Sequence, residues 1–476
     1  MRLPERPDLE QLSTRARELQ RAVRTGEPAA VSIAGTGTAV PDYPLHAAQL
    51  ALARQYGCAS WQRLRQQVIA INERSWAYSE PPVDEPLADR FLRLACLNYA
   101  EDSPRRRDEA ARLLAGHPDL PSAGVAVAAA CADLPVLRRL LSRDPGAAVA
   151  RTGPYDWPAL MYLTYARLDV DRDATLAAAQ LLLASGADPN DGRFFLGLAT
   201  PFTVLTGCLG SGEGEQPPHP HAMVLARLLL AAGAEANDGQ VLYNRMFGEQ
   251  DDFLELLFEF GLGRGDGGPW RRLLPDLLSP PAVLLGELLR WAVLHDQRDR
   301  VALMARHDVD LDAPIEQDAT ALTLALRNGH RRLAEQLRAL GAGERPLDPV
   351  EAFIGAALAG RAAEVAATPA EVVHAARLAR PALVVWAAGQ QRIEAVDLLV
   401  AAGFDVNAFG RSDLPIEQEW QTALHAAVER GNAPLVRRLL ELGADSSLRD
   451  TRFGGTPLDW AGHLQRPELV EFFHRS

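Results

Sequence analysis

Three histidines are the side chains of this sequence best suited to acid–base or metal chemistry. His425 stands three residues after Thr422, at the start of a short apolar stretch, where an imidazole could act as a base. His219 and His221 lie in the proline-rich run PPHPH. Zinc sites need three or four ligands, and no third ligand lies near this pair in the sequence. We therefore predict that the chain holds no metal.

A glycine pattern suggests a nucleotide loop at first sight. Gly263, Gly265 and Gly268 match the spacing of the dinucleotide-binding glycines, but the true motif must follow a strand and open a helix. Here the glycines follow the helical stretch FLELLFEF and precede Pro269 and Trp270. We interpret the segment as a flexible insertion and predict no bound cofactor.

The absence of lysine restricts the chemistry further, because all 49 basic residues are arginines. Walker A loops, protein kinases and Schiff-base enzymes each need an amine at a set place. The sequence also contains no His-Glu-x-x-His motif, nucleophile elbow, Cys-x-x-Cys pair or calcium loop. These observations predict a protein that is not an enzyme.

Charge and composition define the broad class. The 476 residues carry a net charge of −13 and are 47% hydrophobic, which predicts a folded protein without a nucleic-acid partner. The densest basic run, residues 105–107, adjoins Asp102, Asp108 and Glu109, so it reads as a solvated helix face. No apolar run is long enough for a membrane span, and the charged first twenty residues do not resemble a secretory signal.

The four cysteines are far apart in mostly apolar helical stretches. Cys58, Cys96, Cys131 and Cys208 have no paired spacing, and isolated cysteines of this kind are usually buried thiols. We expect free thiols and a cytoplasmic location.

Helical periodicity divides the chain into three parts. Residues 1–78 show amphipathic helices broken at Gly57, residues 79–86 are acidic and proline-rich, and residues 87–476 show a recurring helix pair. The first-helix positions Leu322, Phe353 and Leu383 are 31 and 30 residues apart. We predict an N-terminal helical domain, a linker and an array of about ten repeats, degenerate over 288–367.

Residues 421–450 (QTALHAAVERGNAPLVRRLLELGADSSLRD) carry the clearest copy of this pair, and they resemble an ankyrin repeat. Ala423 stands where that family usually has proline. The resemblance implies an all-α solenoid of helix-turn-helix units, in which His425 ties neighbouring loops together. Residues 45–68 are similar to a helical element found ahead of ankyrin arrays in bacterial proteins, so we identify the chain with bacterial, actinobacterial-like ankyrin proteins that carry an N-terminal helical extension.

The resemblance implies a protein-interaction module that binds a partner protein through its concave face and inter-repeat loops, and we expect it to act as a monomer. Insertions lengthen three of these loops, at 207–221, 263–281 and 409–420. Arginine and aromatic side chains in such loops are typical of binding hot spots. The predicted partner-binding residues are Arg193, Phe194, Trp270, Arg271, Phe409, Arg411, Trp420, Arg449, Arg452 and Phe453.

Two other functions remain open from the sequence. The chain could be an inhibitory, antitoxin-like cap that blocks the active site of a partner enzyme. The repeats could instead be the scaffold for an enzymatic site that no sequence motif reveals, in residues 1–78 or in an insertion. Fold alone does not decide among these functions.

Overall fold

The structure, a computed structural model, describes residues 3–4, 6–76, 81–195, 198, 200–214 and 216–475, the last without its side chain. These residues form two compact units, 1–288 (unit 1) and 289–476 (unit 2). The boundary between the units falls within one helix, α16.

Unit 1 begins with four helices, α1 (Leu9–Thr25), α2 (Pro28–Ala34), α3 (Leu45–Gln55) and α4 (Trp61–Arg74). Its further helices are α5 (Leu87–Ala95), α6 (Pro104–Gly116), α7 (Val125–Ala130), α8 (Leu134–Arg143), α9 (Ala159–Tyr165), α10 (Arg172–Ala184), α11 (Val204–Leu209), α12 (Ala222–Ala231), α13 (Gly239–Met246), α14 (Asp252–Glu259), α15 (Gly268–Leu273) and α16 (Pro281–Leu294). Two 3₁₀ turns cover Leu120–Ala123 and Pro145–Ala148. Helices α7, α9, α11 and α13 pack in succession, as do α8, α10, α12 and α14, which gives the two-layer stacking of a helix-pair repeat.

Unit 2 continues with α17 (Arg298–Arg306), α18 (Ala321–Arg327), α19 (Arg331–Ala339), α20 (Pro349–Leu358), α21 (Ala362–Ala366), α22 (Ala370–Ala379), α23 (Leu383–Gly389), α24 (Ile393–Ala401), α25 (Ala423–Glu429), α26 (Ala433–Glu441), α27 (Pro457–His463) and α28 (Pro467–Arg475). Helices α23, α25 and α27 pack in succession, and each also packs on its own second helix. The stretch 288–367, expected to be degenerate, still contains the pairs α18–α19 and α20–α21. The fold is therefore an all-α repeat fold, as the periodicity predicts.

Glycines end the second helices of four repeats. Gly186, Gly233, Gly403 and Gly443 have φ values of +94°, +100°, +87° and +93°. This left-handed conformation costs glycine nothing, and it lets the chain leave the helix for the next loop.

After Gly186, Gly233 and Gly403, an asparagine in the following loop joins the repeat to the next part of the chain. Asn407 donates from Nδ2 to the carbonyl of Gly443 (3.2 Å) and accepts at Oδ1 from the amide of Asp445 (2.8 Å). Asn190 makes the equivalent bonds to Gly233 and Glu235, both at 2.8 Å. An asparagine four residues after the terminal glycine therefore adds side-chain bonds between repeats to their apolar stacking.

Unit 1 also contains a small sheet that helical periodicity did not predict. Strand β1 (Ser75–Trp76) runs parallel to β2 (Gly192–Phe195), with Ser75 opposite Phe194 and Trp76 opposite Phe195. Strand β3 (Pro201–Thr203) pairs with β2 in the antiparallel sense, with Gly192 opposite Thr203. The β1 pairing joins the end of the N-terminal helices to a segment within the repeats.

Trp76 lies at the centre of an aromatic core in unit 1. It is 1% exposed, and its ring centroid lies 4.6 Å from that of Trp157, 4.8 Å from that of Phe195 and 5.5 Å from that of Tyr155. Edge-to-face contacts at these distances stabilise aromatic cores beyond their apolar area. This tryptophan therefore belongs to the core formed with the repeats.

The N-terminal helices share a second apolar core with later residues of unit 1. Leu12, Leu64 and Ile71 are buried together with Phe194 and Leu274. The predicted boundary at 79–86 stays a prediction, and its first two residues lie outside the described part of the chain. The insertion 263–281 is not the flexible loop that we expected, because it forms α15 and packs Trp270 and Leu274 on this core.

No helix of the described residues is long and apolar enough to cross a membrane.

Candidate functional site

Five side chains form a continuous aromatic and arginine surface in unit 2, which we call the Trp420 cluster. Its members are Arg411, Trp420, Arg452, Phe453 and Trp460. The guanidinium of Arg452 lies 4.9 Å from the centroid of the Trp420 ring, and that of Arg411 lies 5.4 Å from it. The rings of Trp420, Phe453 and Trp460 are each about 6.3 to 6.4 Å from the other two. These distances are within the range of cation–π and edge-to-face contacts.

The cluster exposes a large apolar group to solvent. Phe453 is 71% exposed, more than any other aromatic side chain that the structure describes as exposed, and Arg452 is exposed beside it. Trp420 and Trp460 are half-buried beneath them. Aromatic and arginine side chains are enriched where proteins bind each other.

Asp450 shapes the loop that presents Arg452 and Phe453. Its Oδ1 accepts from the amides of Arg452 (2.9 Å) and Phe453 (2.6 Å). Its Oδ2 accepts from the amide of Gly455 (2.8 Å) and from the indole nitrogen of Trp460 (3.0 Å). Burial on its own raises the pKa of the Asp450 carboxyl, but these bonds outweigh it and the pKa is lowered. The loop is therefore built around an ionised carboxylate.

A second loop is fixed to the first. The amide of Thr451 donates to the carbonyl of Trp420 (2.8 Å), and its hydroxyl donates to the carbonyl of Glu419 (3.1 Å). These bonds hold the end of insertion 409–420 against the loop that follows α26. The cluster is consequently a platform made from two neighbouring inter-repeat loops.

Insertion 409–420 is itself anchored on the helices below. The carbonyl of Asp413 accepts from Nε2 of His295 (3.1 Å), and Glu417 forms an ion pair with Arg380 (2.7 Å). The guanidinium of Arg411 is paired with the carboxylate of Asp413, with Nε to Oδ1 at 2.7 Å. Packing of this kind fixes the conformation of the loop in advance, and a pre-organised loop loses less entropy if it binds another molecule.

The arginines of the surface differ in how they are neutralised. Arg411 is paired with Asp413, and Arg449 donates to the carbonyl of Gly454 (2.7 Å) and lies 3.5 Å from Asp459. Arg452 forms no ion pair with any carboxylate of the described residues; its guanidinium lies against Trp420 and Phe453. This cation is available to an acidic group from another molecule.

We expect Asp450→Asn to disorder the loop and to destabilise unit 2 by about 1 kcal/mol. Asparagine offers one oxygen, so its amide group would face the donors of Gly455 and Trp460. Hydrogen exchange measured by mass spectrometry should show faster exchange of the amides of residues 451–455. Asp445→Asn is the matched control, because only one oxygen of Asp445 accepts hydrogen bonds, from Ser447. Equal exchange in both variants would contradict the assigned role of Asp450.

His425 has the structural role that the resemblance implies. It is fully buried, its Nε2 donates to the carbonyl of Gly455 (3.0 Å), and its Nδ1 accepts from the amide (3.3 Å) and hydroxyl (2.8 Å) of Thr422. Burial lowers the pKa of His425, which keeps the ring neutral. Both nitrogens are occupied, so the ring ties α25 to the following loop.

The predicted binding residues of unit 1 are placed differently. Phe194 is fully buried and Arg193 is 3% exposed, paired with Asp191. They lie in β2, whose four residues are all buried, so neither side chain can contact a partner in this conformation. Trp270 and Arg271 are half-buried on α15, in the other unit from the Trp420 cluster.

Of the predicted residues in unit 2, Arg411, Trp420, Arg452 and Phe453 come together, and Arg449 lies on the same loop. Phe409 is half-buried, and among the described residues no ring contact joins it to the cluster. Sequence reasoning missed Trp460 and Asp450. Trp460 lies in the opening of its repeat, one residue after Asp459, which takes the capping position that His425 has in the preceding repeat, and its ten-residue spacing from Asp450 carried no recognised signal.

The other candidate chemistry has structural explanations. His219 is buried and accepts at Nδ1 from the amide of His221 (3.0 Å), while Nε2 of His221 donates to the carbonyl of Val170 (2.7 Å). No cluster of three or more metal-ligating side chains occurs among the residues that the structure describes. The glycine pattern follows helix α14, whereas the glycines of a dinucleotide-binding loop must follow a strand. For this reason we rejected such a loop from the sequence.

All four cysteines are free, and Cys58, Cys96 and Cys208 are buried while Cys131 is half-buried. Burial raises the pKa of Cys58 to about 11 and the pKa values of Cys131 and Cys208 to about 12. At neutral pH these thiols are therefore protonated and poorly nucleophilic.

Comparison with known proteins supports a repeat assignment for part of the chain. A family model for ankyrin repeats matches residues 384–474, in three copies, which span α23 to α28 and include every residue of the Trp420 cluster. Ankyrin repeats are in general protein–protein interaction modules and typically have no enzymatic activity. A search of curated proteins found no match to the chain.

Proposed function

We propose that this protein binds a partner protein, and that the Trp420 cluster is the centre of the binding surface. The observation that carries the proposal is the juxtaposition of exposed Phe453 with the guanidinium of Arg452, which has no ion pair within the described part of the chain, on a loop pre-organised by Asp450. The Phe453 ring is exposed to solvent beside the Arg452 cation. A partner could bury the ring and pair an acidic group with the guanidinium.

The chemistry of the cluster suggests what the partner presents. A carboxylate could pair with Arg452 through two parallel hydrogen bonds, and an apolar side chain next to it could pack on Phe453 and Trp420. The chain as a whole has a net charge of −13, which on its own favours a basic or mixed partner. The arginines of the cluster make the local preference acidic and apolar, and local complementarity determines orientation and specificity.

The test compares the full-length protein with the double variant Arg452→Ala/Phe453→Ala. Each form is immobilised and used to capture proteins from lysate of the source cells, and the captured proteins are quantified by mass spectrometry. We expect at least one protein to be captured about ten-fold less by the double variant, because removing a hot-spot pair costs 2 kcal/mol or more.

A matched control is available in the same unit. The guanidinium of Arg437 lies 5.9 Å from the ring of Phe472, so Arg437→Ala/Phe472→Ala removes a similar cation–π pair outside the cluster. This variant should capture the same proteins as the unmodified chain. The proposal fails if the Arg452/Phe453 variant, shown by circular dichroism to be folded, captures the same set in the same amounts.

A further inference from the structure

Unit 1 contains a cavity that the proposed partner-binding surface does not use. Its volume is about 200 Å³, which exceeds the roughly 150 Å³ that suffices to hold benzene in an engineered apolar cavity. Leu205, Leu277, Leu278 and Leu284 line it, together with Trp270 and Tyr243. A molecule about the size of one substituted ring fits this space.

Hydrogen bonds hold the walls in place. Asn237 accepts at Oδ1 from the amide of Gly263 (2.7 Å) and donates from Nδ2 to the carbonyl of Arg264 (2.9 Å). The indole nitrogen of Trp270 donates to the carbonyl of Asn190 (2.8 Å). The insertion that carries α15 is thereby fastened to two inter-repeat loops, so the cavity exists before any ligand arrives.

The charged groups that line the cavity are mainly acidic. Glu235, Asp238 and Glu287 face a single cation, Arg271. Arg271 directs Nη1 away to the carbonyl of Asp266 (3.1 Å), and its Nε is buried without a partner among the described residues. Lining groups with this balance favour a positively charged ligand.

The acidic groups differ in what they already bind. Asp238 caps α13, accepting at Oδ1 from the amides of Gln240 and Val241, both at 3.0 Å, and it also accepts from Thr203. Glu235 accepts at Oε1 from Asn237, at 3.0 Å from the amide and 2.7 Å from Nδ2. Its Oε2 accepts no hydrogen bond from any residue that the structure describes. Glu235 is therefore the lining carboxylate with an oxygen available to accept a hydrogen bond from a ligand.

We propose that this cavity binds a small organic amine with an apolar body of about one ring, whose ammonium group pairs with Glu235. The leucine side chains would bury the apolar body. The carboxylate is fixed by Asn237, so little conformational entropy is lost when the amine binds.

The test uses three probes of equal size and different charge on the full-length protein. Benzylamine, benzyl alcohol and benzoate are titrated by isothermal calorimetry, and the increase of the unfolding temperature is measured in parallel. We expect saturable binding of benzylamine, with benzyl alcohol and benzoate each at least about ten-fold weaker because neither forms the charge-assisted bond to Glu235.

Two variants locate the site. Glu235→Gln keeps an oxygen for Asn237 but removes the charge, and it should weaken benzylamine at least about ten-fold while leaving benzyl alcohol unchanged. Ser279 lines the cavity, so Ser279→Phe should reduce its volume and abolish binding of both. Glu259→Gln, an exposed glutamate of unit 1 paired with Arg227, is the matched control and should bind as the unmodified chain does.

Three results would overturn the inference. They are the absence of saturable benzylamine binding at millimolar concentration, benzoate or benzyl alcohol binding as tightly as benzylamine, and Glu235→Gln binding benzylamine with unchanged affinity. None of these results depends on the Trp420 cluster, which lies in unit 2, so the two proposals can fail separately.

Discussion

Gly355→Ala is expected to destabilise unit 2 by about 3 kcal/mol. Gly355 lies inside α20, and a Cβ at this position would be 2.4 Å from the carbonyl oxygen of Leu326 in α18. The obstructing atom belongs to the backbone of a packed helix, so it cannot rotate away as a side chain could. The two first helices would have to separate, and that loosens the apolar contacts between their repeats.

The measurement is the urea-induced unfolding of the full-length chain, with hydrogen exchange of peptides from α18 and α20 to assign the change to unit 2. Gly462→Ala is the control, because Gly462 is an exposed glycine inside α27 with no atom within 4 Å of its added Cβ. That substitution should stabilise the helix by about 0.5 to 1 kcal/mol. If both variants shifted stability in the same direction, close approach of α18 and α20 would not be the reason for glycine at position 355.

Acidification from pH 7 to pH 5 should cost unit 2 about 2 kcal/mol through His330 alone. The ring is buried, its Nε2 donates to the carbonyl of Leu294 (3.0 Å), and its Nδ1 accepts from Nη2 of Arg392 (2.8 Å). Burial, and next the charge of Arg392, lower the pKa of His330 to about 3. Asp296 lies 4.0 Å from Nδ1, but Arg392 is closer and dominates.

The direction follows from proton binding. In the unfolded chain the imidazole has a pKa of about 6.5, so below pH 6.5 the unfolded state binds a proton that the folded state does not bind. The contribution of His330 is therefore fully present above pH 6.5 and is lost progressively as the pH falls toward 3. His295 and His425 in the same unit also have lowered pKa values because they are buried, and they act in the same direction.

The pH dependence is measured as the free energy of unfolding of unit 2 between pH 7 and pH 5. His330→Gln keeps a donor for Leu294 and cannot be protonated, so the loss over this interval should shrink by about 2 kcal/mol. His374→Gln changes an exposed histidine and should leave the interval unchanged. A His330→Gln variant with the same acid loss as the unmodified chain would show that His330 is protonated in the folded state.

The repeats were predictable because each carries a local signal. The signals all lie within the length of one repeat: leucines at helical spacing, a glycine after the second helix and, in residues 421–450, the Thr422–His425 opening. The structure shows the helices, the turns and the His425 hydrogen bonds that these residues imply. The insertion 409–420 was identified as a candidate surface for a similar reason, since Arg411 and Trp420 interrupt the repeat pattern where the loops lie.

The features that were not predicted depend on residues far apart in the sequence. Strand β1 has only two residues and becomes a strand through its pairing with β2, so the sequence shows no alternation of apolar and polar residues that would predict it. Phe194 was expected at the surface because loops are usually exposed, but the N-terminal helices cover it. Asp450 was not singled out because a carboxylate that accepts four hydrogen bonds looks, in a sequence, like any other loop aspartate.

The joining of β1 to β2 implies that the two units fold at different speeds. The ties between neighbouring repeats of unit 2 close short segments, with 30 residues between His425 and Gly455 and 36 between Asn407 and Gly443. A longer segment of 118 residues is closed where His295 anchors insertion 409–420 at Asp413. In unit 1 the amide of Ala59 donates to Asp276, 217 residues later, and Trp76 reaches its site only when the segments around Trp157 and Phe195 have formed. Closing long segments slows folding. Unit 2 can therefore assemble repeat by repeat, whereas the folding of unit 1 is complete only when its contacts between distant residues have formed.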